Sequence, residues 1–146
     1  MKKTFCFSLF SFIVLVADAQ FRKIPAEVTD AFAARYPHAE KVEWKDKLRY
    51  FEANFQLNGS VITAMFSSRG DWEGSERKVE FNELPGEVLD GFEKSKYAEK
   101  EKNAVYELQE LGKPLKYRIT VQISGLQKKN LYFDANGKLL KEVLAL

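Results

Sequence analysis

Few residues in this chain could do covalent or metal chemistry. It has one cysteine, Cys6, and one histidine, His38. Nucleophilic catalysis needs a nucleophile beside a base that a third group orients. A lone imidazole directly after Pro37 reads instead as a solvated turn residue. A zinc site draws three or four ligands mainly from His and Cys, and this sequence does not supply them. Carboxylates are plentiful, but those on predicted strands alternate with apolar residues and so face outward. Paired acid–base catalysis would need two of them to converge in a cleft. Asp134-Ala135-Asn136-Gly137 has part of a calcium loop, yet such a loop places Gly sixth and Glu twelfth. Here Gly is fourth, and a hairpin turn is the simpler reading. Gly70, Gly74 and Gly137 do not compose a phosphate cradle. The expectation is a non-enzymatic protein with no metal and no cofactor.

What remains is recognition chemistry, carried on two similar stretches. Tyr50-Phe-Glu-Ala-Asn-Phe-Gln-Leu-Asn-Gly59 and Lys116-Tyr-Arg-Ile-Thr-Val-Gln-Ile-Ser-Gly125 share strict alternation, a Gln and a closing Gly. Period-two alternation marks a strand with one face packed and the other exposed. The packed faces are Phe51, Ala53, Phe55, Leu57 and Tyr117, Ile119, Val121, Ile123. The exposed faces carry Tyr50, Glu52, Asn54, Gln56 and Lys116, Arg118, Thr120, Gln122. Following strands add Thr63 and Met65 to the first set, and Asn130 and Tyr132 to the second. Tyr and Arg on a mixed polar surface suit protein recognition. A merely solvated antiparallel face is the competing reading. Trp44 and Trp72 read as core or sheet-edge residues, with a sugar-stacking platform the sharper alternative for Trp72.

Other elements must position these strands. Ile24-Pro25 opens a helix whose stripe is Ile24, Val28, Ala31, Phe32 and Tyr36, and Pro37 ends it. Val42 and Trp44 mark a first strand, and Asn58-Gly59 is a hairpin signal. Ile62, Ala64 and Phe66 form the inward face of the next strand, and Trp72 to Phe81 reads as a fourth. Leu84-Pro85-Gly86-Glu87-Val88 then matches Ile24-Pro25-Ala26-Glu27-Val28 at an offset of 60, and the offset drifts to 67 by Gly137. Ala104, Tyr106 and Leu108 take the place of the Val42–Trp44 strand. Leu131 and Phe133 face inward, and Leu139 to Leu144 closes. The expected fold is α+β, a tandem repeat of one helix plus a four-stranded antiparallel meander (about 24–81 and 84–146). The helices should cover one side of a curved sheet.

The first nineteen residues read as a secretory signal. Lys2 and Lys3 precede an apolar run from Phe5 to Val16, and Ala17-Asp18-Ala19 precedes cleavage before Gln20. That run is too short for the roughly 20 residues of a membrane span. Its removal leaves residues 20–146, with 21 basic and 20 acidic residues and no cysteine. A near-neutral chain argues against a nucleic-acid partner, and a cysteine-free one must rely on its hydrophobic core. A single periplasmic or secreted domain without a transmembrane anchor is expected.

Ile24-Pro-x-x-Val28, Tyr36-Pro37, Val42-Glu-Trp44, Tyr50-Phe-Glu-Ala53, Gly70-Asp-Trp72, Leu84-Pro-x-x-Val88 and Tyr132-Phe-Asp-x-x-Gly137 together resemble the secreted bacterial PepSY-like proteins, also described as β-lactamase-inhibitor-like. The resemblance implies joined sheets curving around a concave face and an exported, non-catalytic role. The expected function is a binding module, inhibitor-like, that takes an unknown envelope protein or peptide on its open sheet face. The alternative is a periplasmic small-ligand or calcium-binding protein.

Overall fold

Alternation of apolar and polar residues builds eight strands, and all eight lie in one antiparallel sheet. The computed structural model describes residues 23–145, so the expected leader falls outside the described residues. The strands are β1 (Glu40–Lys47), β2 (Tyr50–Leu57), β3 (Ser60–Phe66), β4 (Trp72–Val79), β5 (Lys102–Glu110), β6 (Lys116–Ser124), β7 (Gln127–Asp134) and β8 (Leu139–Ala145). Helix α1 (Ala26–Arg35) precedes β1, and α2 (Gly86–Glu93) lies between β4 and β5.

The expectation of a tandem repeat of one helix plus a four-stranded meander is corrected. Spatial order follows chain order from β1 to β8 in one uninterrupted sheet. β4 and β5 pair at six consecutive positions, from Gly74↔Glu110 to Val79↔Val105. A boundary there would expose two rows of backbone N–H and C=O groups, and pairing satisfies both. The sheet dominates, and the helices are only 10 and 8 residues long.

Both helices lie on the same face. Val28 and Phe32 of α1 pack on Phe51, Phe55, Ala64 and Phe66. Val88 and Phe92 of α2 pack on Val105, Tyr117, Ile119, Leu131 and Phe133. The register carries one side of the sheet across these strands through Ile62↔Arg77↔Glu107↔Tyr117. Arg77 and Glu107 thus sit on the helix side, where Arg77 Nε and Nη2 donate to the Glu107 carboxylate at 3.2 and 3.0 Å. This ion pair divides the apolar layer into two clusters. The α1 cluster is aromatic, with the Phe32 ring 5.0 Å from Phe55 and 5.2 Å from Trp44 between centroids. The α2 cluster is mostly aliphatic.

Local sequence sets the helix ends. Pro25 and Pro85 stand just before α1 and α2 in extended geometry, one step earlier than the first helical turn. Their carbonyls accept the first helical N–H bonds, from Val28 at 3.1 Å and Val88 at 2.9 Å. Proline lacks an N–H and has a fixed φ, so it loses nothing at such a start. Gly91 of α2 lies directly against the β7–β8 turn, where a Cβ would come within 1.9 Å of the Gly137 carbonyl oxygen. Gly137 itself has φ 78°, a left-handed conformation that glycine adopts without penalty.

After α2 the chain packs Tyr97 into the core and ties it to the last strand. The Tyr97 hydroxyl donates to Glu142 Oε2. Lys129 Nζ reaches the same carboxylate at 2.8 Å and the Tyr97 oxygen at 3.1 Å, and Lys96 Nζ adds a contact at 3.1 Å. Hydrogen bonds from Lys129, Tyr97 and Lys96 hold the Glu142 carboxyl down to about 2.

Two strands depart from simple alternation, both next to bulges. Val42 is exposed because Lys41 and Val42 together oppose one residue of β2, and Lys41 takes φ 52°. In β5 the helix side carries Val105, paired with core residue Val79. Ala104, Tyr106 and Leu108 therefore face the other way.

Candidate functional site at the open sheet face

The face away from the helices is built by strict alternation, so one register row collects its centre. Lys78, Tyr106, Arg118, Tyr132 and Lys141 are successive cross-strand partners from β4 to β8. The row beside it contains Thr63, Glu76, Leu108, Lys116 and Asp134. Leu108 is buried, 7% exposed, although it points away from both helices. Its neighbours on this face close over it.

The closing group is an ion pair that reaches across β5. Arg118 Nη1 and Nη2 donate to Glu76 Oε1 and Oε2 at 2.9 and 2.7 Å, a bidentate fork. The guanidinium also lies 4.4 Å from the centroid of Tyr106. Burial works against the Arg118 charge, but the Glu76 carboxylate more than offsets it, so the group titrates above its ordinary value. Lys141 Nζ stands 4.4 Å from the centroid of Tyr132, in cation–π range. Met65, Leu108, Glu76, Arg118, Tyr132 and Lys141 together border a depression of about 430 Å³. A second one, about 460 Å³, continues on the far side of Arg118 past Tyr106, Thr120 and Asn130. The arrangement offers a half-buried ion pair, two phenol rings and one buried aliphatic side chain, and Glu73 and Glu110 also border the first depression.

The register brings all the residues anticipated for this face onto it, but not into one site. Met65, Arg118 and Tyr132 meet at the first depression. Tyr50, Glu52, Asn54 and Gln56 belong to β2, four strands from β6, or about 19 Å away at ordinary strand spacing. There, Asn54 Nδ2 donates to Glu52 Oε1 at 3.0 Å, and Asn54 Oδ1 accepts from Thr63 Oγ1 at 2.7 Å. Lys45 lies 3.9 Å from Glu52. Thr120 Oγ1 donates to Asn130 Oδ1 at 2.7 Å, and Lys116 Nζ lies 3.4 Å from Glu110 Oε1. Gln122 turns to the β6–β7 hairpin, donating to the carbonyls of Gly125 at 2.6 Å and Gln127 at 3.2 Å.

Glu76, Tyr106, Leu108 and Lys141 complete the site and were not singled out from sequence. The Ala104-Val-Tyr-Glu-Leu108 run shows apolar residues at alternate positions, which reads as a core face. The signal that finds them is the opposing strand, because Val79 as a core residue fixes Val105 inward. His38 lies exposed in the turn after α1, away from this face. At the Asp134 turn, Oδ1 accepts the N–H groups of Asn136 and Lys138 at 2.9 and 3.0 Å, a side chain spent on its own turn. Among the described residues, no three His, Cys, Asp or Glu side chains gather as a metal site.

The chain is a helix-backed, eight-stranded antiparallel sheet whose free face carries Arg118, Tyr106 and Tyr132 around Leu108. Residues 49–141 match the family described as "Putative beta-lactamase-inhibitor-like, PepSY-like", and the chain belongs to that family. Among solved structures, it is similar to a BLIP-like protein from Bacteroides fragilis at 28% identity and TM-score 0.80, covering 88% of this chain and 91% of that one. A DUF2874 family protein from Bacteroides ovatus is 27% identical at TM-score 0.79, with coverage of 84% and 88%. A Bacteroides eggerthii protein, described among "putative periplasmic proteins", shares the fold at 22% identity and TM-score 0.79, covering 84% and 89%. A comparison with curated proteins gave no match.

Proposed function

We propose that this chain is an exported, inhibitor-like binding module that takes a protein or peptide partner on the open face of its sheet, centred on Arg118. The observation that carries the reading is the Arg118–Glu76 pair over Leu108, bordered by Tyr106, Tyr132 and Met65. Arg and Tyr are among the residues that most often dominate protein–protein binding energy, and here they are half-buried. Their bases are fixed on strands, so little ordering is lost on association. The periplasm is the proposed compartment. The basic, apolar and small-residue order of residues 1–19 supports it, as does the description of the Bacteroides eggerthii relative. No described helix is long and apolar enough to cross a membrane.

The test is a pull-down from native envelope extract with the parent chain, beside a variant carrying Arg118→Glu and Tyr132→Ala. A protein captured by the parent is identified, purified and titrated against both. The reading expects a loss of at least about tenfold in affinity, roughly 1.4 kcal/mol, with near-ultraviolet circular dichroism unchanged. Equal affinity for a folded variant would exclude the site.

A further inference from the structure

The sheet has two outer edges, and they are treated differently. On β1, a bulge at Lys41–Val42 breaks the regular edge, and Glu40, Lys41, Glu43, Lys45, Asp46 and Lys47 charge it. These are standard devices against strand addition. β8 keeps a regular run from Lys141 to Ala145 after its bulge at Leu140. Its exposed residues include Leu140, Val143 and Leu144, at 45, 41 and 58%. Among the described residues, no strand pairs with its outer side.

We infer that the outer edge of β8 is a docking site for an extended peptide segment with acidic and aliphatic residues in alternation, added as a ninth strand. Charge selects this occupant. Lys141 lies on the open-face side, and Lys128 stands opposite Ala145 on β7. The one acid of β8, Glu142, is on the helix side and is already held by Lys129, Lys96 and Tyr97. Among the described residues neither Lys141 nor Lys128 is in an ion pair, so an added strand meets two available cations on one face and Leu144 on the other, which suits acids on alternate positions with aliphatics between them. A second copy of β8 would bring only Lys141, Val143 and Ala145 to the cationic side, with no acid. Backbone pairing supplies affinity in such additions and the alternate side chains supply selectivity.

The probe is a fluorescein-labelled decapeptide of alternating valine and glutamate, titrated into the full chain by fluorescence polarisation. Saturable binding is expected, about tenfold weaker for a valine–lysine decapeptide and for the Lys141→Glu variant. It should be lost when alternate peptide amides are N-methylated, a change that leaves the protein untouched. The Lys47→Glu variant, on the opposite margin of the sheet, should retain binding within about twofold. Equal binding of the N-methylated or lysine peptide would overturn the proposal, as would loss in the Lys47→Glu variant. Sedimentation showing a dimer that excludes the probe would give the edge to a second copy and overturn it as well.

Discussion

Replacing Gly91 by alanine tests the packing of α2 on the sheet, because helix propensity and packing predict opposite signs. Alanine in place of a helical glycine gains about 1 kcal/mol from propensity. The added Cβ would lie 1.9 Å from the Gly137 carbonyl oxygen, 2.7 Å from its carbon and 2.9 Å from its Cα. A relaxed C···O contact is about 3.3 Å, so helix and turn must separate by more than an ångström. All three atoms are backbone, and no side chain can rotate away. The turn cannot retreat either. The Gly137 N–H is bonded to the Asp134 carbonyl at 3.1 Å, and the site of its own missing Cβ is 1.9 Å from the Glu87 carbonyl oxygen. The helix must lift, which loosens Val88 and Phe92, both fully buried. Overpacking of this kind costs about 1–3 kcal/mol and sometimes more, and lifting the two core side chains adds to it. The net loss is about 1–3 kcal/mol after the propensity gain. With a urea m-value of about 1–3 kcal/mol/M, the unfolding midpoint should fall by roughly 1 M at unchanged m. Gly86→Ala is the reference, because nothing lies within 4 Å of its Cβ position; its midpoint should hold or rise slightly. A Gly91→Ala midpoint equal to or above the parent's would refute the packing argument.

Glu142 gives a pH signature. Its folded carboxyl titrates at about 2, below the ordinary 4.5. Its contribution is therefore present above about pH 4.5 and lost as pH falls through about 2. Urea midpoints at pH 5 and pH 2.5 should differ less for Glu142→Gln than for the parent; an unchanged difference would remove Glu142 from the account. Arg118→Met and Glu76→Gln, combined in a double-mutant cycle, should couple by about 1–2 kcal/mol, above the range of exposed pairs, and additive losses would count against the pair. Phe92→Ala should cost about 3–5 kcal/mol in urea unfolding. Leu126→Ala, at a fully exposed tip, should stay within about 0.5 kcal/mol.

Strand content was legible where alternation coincides with burial on one side only. The Tyr50–Leu57 strand has the expected bounds, and the Lys116 strand runs one residue past Ile123 to Ser124. Phe51, Ala53, Phe55, Tyr117, Ile119 and Val121 are buried as read. Legibility ended where both sides of a strand carry apolar residues. In β5, Tyr106 and Leu108 out-signal Val105 in the sequence, yet they line the free face because pairing with Val79 sets the register. Hydrophobic pattern says that a residue will be covered, but not by what. The joining of β4 to β5 was illegible for a related reason. β4 reads Trp-Glu-Gly-Ser-Glu-Arg-Lys-Val, a weak pattern whose charges are taken up by partners 30 and 42 positions distant, Glu107 for Arg77 and Arg118 for Glu76. A local window cannot see such partners. Of the candidate site, Arg118, Tyr132 and Met65 followed from alternation alone. Glu76, Tyr106, Leu108 and Lys141 depended on this register.

Strand order identical to chain order also governs how the molecule bears load. The first and last strands are the two margins of the sheet, about 34 Å apart at ordinary strand spacing. Tension applied through the chain ends then falls on β8 at one margin, and on α1 and behind it β1 at the other, each of these strands held by one neighbour. A margin strand pulled this way opens its hydrogen bonds one after another, as a zipper does, instead of shearing a whole row together. Yielding should begin at the margins at low force while the β4–β5 centre stays intact. A partner seated across the free face would span several strands at once and act as a splint. Occupancy would then raise the force needed to peel the sheet.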